Sequence, residues 1–135
     1  MTQPPNILYV MFDQAKASAM SFMGNNDISM PYCDRLAAQG WVFEDAYAAA
    51  PICTPSRASV HTGLFPQVHG VTCHQNRAPF NVPQLAELLQ GVGYYTCAAG
   101  HYEPERNLSR GWHEQSPMHE RGPLFNSWLQ HKRSG

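Results

Sequence analysis

Charge is what this 135-residue chain has least of. Asp, Glu, Lys and Arg together make up 14%, against roughly 25% in an ordinary soluble domain. Nine Lys+Arg against ten Asp+Glu leave a net charge of −1, which excludes a broad basic face for nucleic acid as well as an acidic tail. Long hydrophobic runs are also missing. The run Ile7 to Phe12 is far too short for a membrane span or a signal-peptide core, and no cluster of positive charge precedes it. The expectation is a cytoplasmic chain with no membrane partner, or a periplasmic or secreted one if the true N-terminus lies upstream. No internal repeat is present. Cys33, Cys53, Cys73 and Cys97 form no C-x-x-C pair, which argues against a zinc ribbon or a small disulfide scaffold.

What is present is a chain with 43% hydrophobic residues, eleven Pro and ten Gly, a composition suited to turns and a loop-built site rather than a helical bundle. The continuous run Ile7-Leu8-Tyr9-Val10-Met11-Phe12 has no alternation and predicts a central strand of a parallel sheet covered on both faces. Asp13 and Gln14 would then sit at its carboxyl end, where ligands bind in open α/β sheets. Pro31 to Gln39 predicts a helix stopped by Gly40, with Cys33, Leu36 and Ala37 facing inward. Trp41 to Phe43 suggests a short strand. Pro55 to Thr62 predicts a second helix, with Thr54 as N-cap, Pro55 at the first position and Gly63 past the end. Residues 64–82 suggest an irregular surface connection. Leu85, Leu88, Leu89 and Val92 fall on one face of an amphipathic helix, and Tyr94 to Ala99 suggests the next strand. The order favours an α/β fold: a layered, mostly parallel sheet flanked by helices. A loosely attached helix is expected over 122–132.

Chemistry is concentrated in Cys53-Thr54-Pro55-Ser56-Arg57-Ala58-Ser59-Val60-His61-Thr62-Gly63. A cysteine at a helix start with an arginine one turn on favours a thiolate or another anion there, through the helix dipole and the guanidinium. Exposed N–H groups of the first turn would suit a phosphate, sulfate or carboxylate. The competing reading of the same residues is a buried cysteine beside a helix start.

This stretch resembles the signature of the sulfatases of the alkaline phosphatase superfamily, C-x-P-S-R followed by T-G. Other segments resemble the family in the same order: Pro5-Asn6-Ile7-Leu8 leading to Asp13, Met30 to Ala37, Phe65 to Val71, and Leu85 to Thr96. The resemblance implies that residues 1–135 are the N-terminal part of a sulfatase catalytic domain, well matched over 1–111, with 112–135 a weakly matched tail. It implies an arylsulfatase-like hydrolase of sulfuric esters. Cys53 would be converted by a formylglycine-generating maturation enzyme to formylglycine, whose hydrated form is the nucleophile. Arg57 would hold that group and balance negative charge. Asp13, Gln14 and position 53 would ligate a divalent cation, Ca²⁺ by family habit, with Mn²⁺, Mg²⁺ or Zn²⁺ as alternatives. The partner implied is a small-molecule sulfate ester, or a phosphonate or phosphate ester.

Two departures from the family matter. Gln14 stands where many members have a second Asp, which keeps a phosphonate monoester or phosphodiester hydrolase as the alternative. After the third strand, His101 and Glu103 occupy the positions of the family's lysine and histidine. His101 could bind the substrate anion when protonated, whereas Glu103 would repel a sulfate. The remaining histidines show no metal-ligand spacing. His69 suggests a loop-fixing residue, and His61 a satisfied, partly buried one. Family members are several times longer and take further metal and substrate ligands from later segments. The expectation is therefore that this length alone is a truncated, inactive portion, or a non-catalytic remnant that binds anions or a partner.

Overall fold

The computed structural model describes residues 4–79, 81–103 and 106–117, and the chain divides into two compact units, residues 1–47 and 48–135. In the first unit, two short 3-10 turns at Ala17–Ala19 and Ser21–Met23 precede helix α1, Pro31–Gln39. The helix has the predicted bounds. Pro31 opens it because its missing N–H would have had no partner at that position. Asp34, in its first turn, accepts a hydrogen bond from the Ser21 hydroxyl and so ties the helix to the preceding turn. Leu36 is 72% exposed, against the inward orientation expected for it, while Cys33 and Ala37 are half-buried. Residues 7–12 and 41–43 are not strands. A parallel strand is held by ladder bonds to its neighbours, and neither segment belongs to the sheet found among the described residues.

The second unit contains helix α2 (Cys53–Thr62), the single turn α3 (Pro66–His69), helix α4 (Leu85–Gly91) and strands β1 (Cys97–Gly100) and β2 (Glu114–Pro117). The two strands pair in parallel, Cys97 opposite Glu114 through Gly100 opposite Pro117. The connection over 101–113 has the length that a parallel crossover needs. β1 starts later than expected, and the polar stretch forming β2 carries no sequence signal for a strand. Helix α2 begins two residues before its predicted start, so Ile52 is the N-cap and Thr54 and Pro55 lie in the first turn. Gly63 closes the helix in the left-handed conformation, with φ 70°, as the C-cap position requires.

Residues 64–82 are more ordered than a surface connection, since they include α3 and the buried His69, Val71 and Ala78. On α4 the buried positions are the N-cap Gln84 and Ala86, while Leu85, Leu88 and Val92 are exposed. The reason is Gly111, whose φ is 83°. A Cβ there would run into the backbone of Ala86 and Glu87, so this side of the helix accepts only small groups. The Gln84 side chain donates to the Asn107 carbonyl and accepts from the Arg110 N–H at 3.3 Å, while Glu87 caps the Gln84 N–H at 2.8 Å. Each bond removes a buried or helix-end polar group from the unsatisfied set. The expected helix over 122–132 lies outside the described residues. No helix among the described residues is long and apolar enough to cross a membrane.

Candidate active site

The first turn of α2 carries the site. Thr54, Pro55, Arg57 and Ala58 are buried, and the half-buried Cys53 is the first helical residue. Cys53 and Arg57, four residues apart, share one face of the helix.

Two turns bring other groups to this face. His69 is buried, and its Nδ1 accepts the Val71 N–H at 3.0 Å, while its Nε2 lies 3.0 Å from Ser59 Oγ. An Nδ1 that accepts must be unprotonated, so Nε2 carries the hydrogen and donates to Ser59. Burial lowers the His69 pKa, partly opposed by a backbone hydrogen bond, which keeps this neutral arrangement in place. His69 thus fixes the loop after α2, the role the sequence suggested. Beyond it, Asn76 Oδ1 accepts the N–H groups of Thr72 and Cys73 at 2.9 and 3.1 Å, shaping the turn that presents His74.

The second contribution comes from the carboxyl end of β1. His101 and Glu103 follow the strand directly, and Glu103 is buried with φ 58°. Such a φ is uncommon for a residue with a side chain.

Together these residues form a hydrogen-bonded chain. Arg57 Nη2 is 3.5 Å from His101 Nδ1, and His101 Nε2 is 3.2 Å from Glu103 Oε1. Thr54 Oγ1 donates to Glu103 Oε2 at 2.6 Å and lies 2.8 Å from His74 Nδ1. His74 Nε2 is 4.0 Å from Cys53 Sγ. One proton arrangement is consistent with all of these contacts. Arg57 donates to His101, and His101 donates to Glu103. His74 donates from Nδ1 to the threonine, which itself donates to Glu103. The lone pair of His74 Nε2 is then turned toward Cys53. Glu103 is buried without the penalty of an isolated charge because His101 and Thr54 contact its carboxylate, backed in turn by Arg57 and His74.

Of the predicted site residues, the second unit brings together Cys53, Arg57 and His101. Asp13 and Gln14 belong to the first unit, where they lie exposed on a turn, Gln14 with φ 51°. A carboxylate next to an amide oxygen is the right kind of donor pair for a hard cation, though two oxygens fill only part of a coordination shell of about six to eight. His74 and Thr54 were not foreseen as site residues. His74 is twenty-one positions from Cys53, so no local spacing could relate them. Glu103, expected to act only by repelling an anion, is the buried centre of the chain. Cys53, His74 and Glu103 place a ligand atom each within 4.8 Å of one another, a grouping that no local spacing in the sequence expresses.

His61, in the last turn of α2, packs edge-on against Trp112 at 6.0 Å. It is partly buried as expected but not satisfied, because its Nδ1 has no hydrogen-bond partner among the described residues. Burial, assisted by the Arg57 charge, lowers its pKa from 6.5 to about 4.

Most of the chain is similar to proteins already known. The family model described as Sulfatase matches residues 5–118. An arylsulfatase of Clostridium perfringens is 38% identical over 112 residues, covering 81% of this chain and 23% of that protein. An N-acetylglucosamine-6-O-sulfatase of Bacteroides thetaiotaomicron is 36% identical over 129 residues, covering 93% and 23%. The chain therefore spans about a quarter of the length of these relatives. Among solved structures, a 2-O GAG sulfatase superposes with a TM-score of 0.67 at 27% identity, over 78% of this chain and 24% of that one. The phosphonate monoester hydrolase of Agrobacterium radiobacter superposes with a TM-score of 0.74 at 22% identity, over 89% and 27%. At that identity the likeness is one of fold.

Proposed function

The chain belongs to the sulfatase family, and from that premise we propose that it supplies the nucleophile-bearing part of a sulfuric ester hydrolase active site. The observation that carries this reading is Cys53 at the start of α2 with Arg57 buried on the same face, inside the segment that matches the family. Cys53 is the residue we assign to conversion into formylglycine by the maturation enzyme. Asp13 and Gln14 would hold a hard divalent cation. The converted residue would supply the attacking oxygen, and a bound cation would supply Lewis acidity.

The chain's own groups do the rest. Arg57 is a fixed positive charge that offsets the negative charge of an ester and of its developing transition state. Both ring nitrogens of His101 are engaged, one by Arg57 and one by Glu103. An ester oxygen that takes the place of His101 Nδ1 beside Arg57 would accept from the guanidinium, and His101 could donate to it only with a proton on Nδ1 as well. Glu103 then serves as a positioning residue that holds the His101 ring and, through Thr54, the His74 ring.

The test uses the full-length gene product made with and without the maturation enzyme. Peptide mass mapping should show Cys53 converted only in the first case, and aryl sulfate turnover should follow conversion. Sulfate turnover that survives Cys53→Ala would overturn the assignment. A second reading, phosphonate monoester or phosphodiester hydrolysis, is favoured by Gln14, which leaves the cation site one negative charge poorer than an Asp-Asp pair. Parallel assays on aryl sulfate and aryl phosphonate esters separate the two by the preferred ester.

A further inference from the structure

The donor set around Cys53 is not that of a hard-cation site. It combines a thiol, an imidazole and a carboxylate, with Cys53 half-buried, His74 exposed and Glu103 buried. Zinc and cobalt favour such mixed sulfur, nitrogen and oxygen sets, whereas calcium takes oxygens alone. We propose that, while Cys53 carries its thiol, Cys53, His74 and Glu103 form a binding site for a thiophilic divalent cation such as Zn²⁺ or Co²⁺. This site is separate in composition from the Asp13–Gln14 pair. It does not depend on the chain being an ester hydrolase.

Three features of the geometry support it. The ligand atoms lie within 4.8 Å of one another, with Sγ and Nε2 at 4.0 Å. In a tetrahedral zinc site with bonds of about 2.0–2.3 Å the ligand atoms sit roughly 3.3–3.7 Å apart. The site therefore needs contraction by at most about 1.5 Å, and by less than about 1 Å between Sγ and Nε2, which side-chain rotation of the exposed His74 and half-buried Cys53 can supply. The second feature is the tautomer of His74. Its Nδ1 is engaged by Thr54 at 2.8 Å, and Thr54 in turn is bonded to Glu103 at 2.6 Å. A metal-bound imidazole characteristically donates its other N–H to an oxygen in this way, which orients the ring and leaves Nε2 as the ligand. The third is charge. A thiolate and a carboxylate together neutralise a divalent cation, and Glu103, already buried, needs no further desolvation to take part. With three protein ligands, a fourth position stays open to water.

Binding exchanges the thiol proton for the cation: an S–metal bond forms, the S–H bond breaks, and one proton passes to solvent per cation bound. The sulfur is then masked. Loading this site should therefore protect Cys53 from alkylation, and it should be lost once the thiol has been converted.

The probe is Co²⁺, followed by its thiolate charge-transfer absorption, with Zn²⁺ as competitor. It is added to the full-length chain made without the maturation enzyme and shown by mass to carry an unmodified Cys53. The expected result is one equivalent of Co²⁺ bound with a thiolate band and displaced by Zn²⁺ but not by excess Ca²⁺. Zn²⁺ should also slow alkylation of Cys53 by iodoacetamide. The band should vanish in Cys53→Ser and persist in Cys33→Ser and Cys97→Ser. It should require about tenfold or more Co²⁺ in His74→Ala and Glu103→Gln. His74 is exposed, so its replacement keeps the test valid even if Glu103→Gln unfolds the chain. A thiolate band that survives Cys53→Ser, or undiminished affinity in His74→Ala, overturns the proposal. Neither result touches the test of ester hydrolysis, which uses the converted residue.

Discussion

The two units of this chain both leave large apolar residues exposed, but they differ in what they bury. In residues 4–47, no described residue is buried, and Leu8 (87% exposed) and Trp41 (91% exposed) stand in solvent. In the second unit, nearly half of the buried residues described are polar: Thr54, Arg57, His69, Gln84, Thr96 and Glu103 beside Pro55, Ala58, Val71, Ala78, Ala86, Tyr102 and Leu108. Apolar composition is thus no guide to where the order lies. Order in the second unit comes from side chains that satisfy specific backbone groups. Gln84 spans to Asn107 and Arg110, Asn107 bonds the Ala78 carbonyl at 3.1 Å, and Thr96 Oγ1 bonds the Gly111 carbonyl at 2.5 Å. Each such bond would leave a buried group unpaired if broken, at a cost of about 1–3 kcal/mol.

The sharpest way to break this contrast uses two glycines with similar backbone angles. Gly24 in the first unit has φ 96°, and a Cβ added there would meet nothing within 4 Å, while Gly111 has φ 83° and lies against the α4 backbone. Both alanine variants carry the left-handed penalty, about 1 kcal/mol. Gly111→Ala adds overpacking and should lose about 2–4 kcal/mol in all. Urea unfolding of the full chain measures both, and equal losses would show that the second unit is no more tightly built than the first.

A smaller effect concerns pH. Unfolded His61 binds its proton near 6.5, but the folded residue does so only near 4. Between these values the unfolded state holds more protons, so stability is complete above pH 6.5 and falls as the pH drops toward 4. His69, also lowered by burial, contributes with the same sign. The loss assigned to His61 is about 1–3 kcal/mol, and His61→Gln should flatten the stability–pH curve over that window. An unchanged slope would remove His61 as its source. The smallest effect is expected for Leu8→Ser, within about 0.5 kcal/mol, as for an exposed site without special contacts. A loss comparable to that of Gly111→Ala would erase the distinction between the units.

Local signals were legible wherever a single turn of chain decides the outcome. Pro31 and Gly40 bound α1, and Gly63 ends α2, because proline suits a helix start and glycine a left-handed stop. The closeness of Cys53 to Arg57 followed from a cysteine at a helix start with an arginine one turn on, although only the earlier start of α2 puts both on one helical face. Residues 7–12 misled because an apolar run specifies a strand only when a neighbouring edge hydrogen-bonds to it. The inward side of α4 was equally invisible, since the approach of Gly111 reverses what Leu85, Leu88 and Val92 suggest. Glu103 read as a departure from a family pattern, and His74 as one of the histidines without metal-ligand spacing.

By itself the sequence determined the family, the α/β class and the identity of the candidate nucleophile. These rest on residue types at short, fixed separations, which helical and turn geometry converts directly into proximity. Only the tertiary structure decided what surrounds that nucleophile. Cys53 meets His74 through the turn held by Asn76, and both meet Glu103 at the end of β1 through Thr54. Those positions are about twenty to fifty residues apart, and at such separations only packing and the satisfaction of buried polar groups select which residues meet.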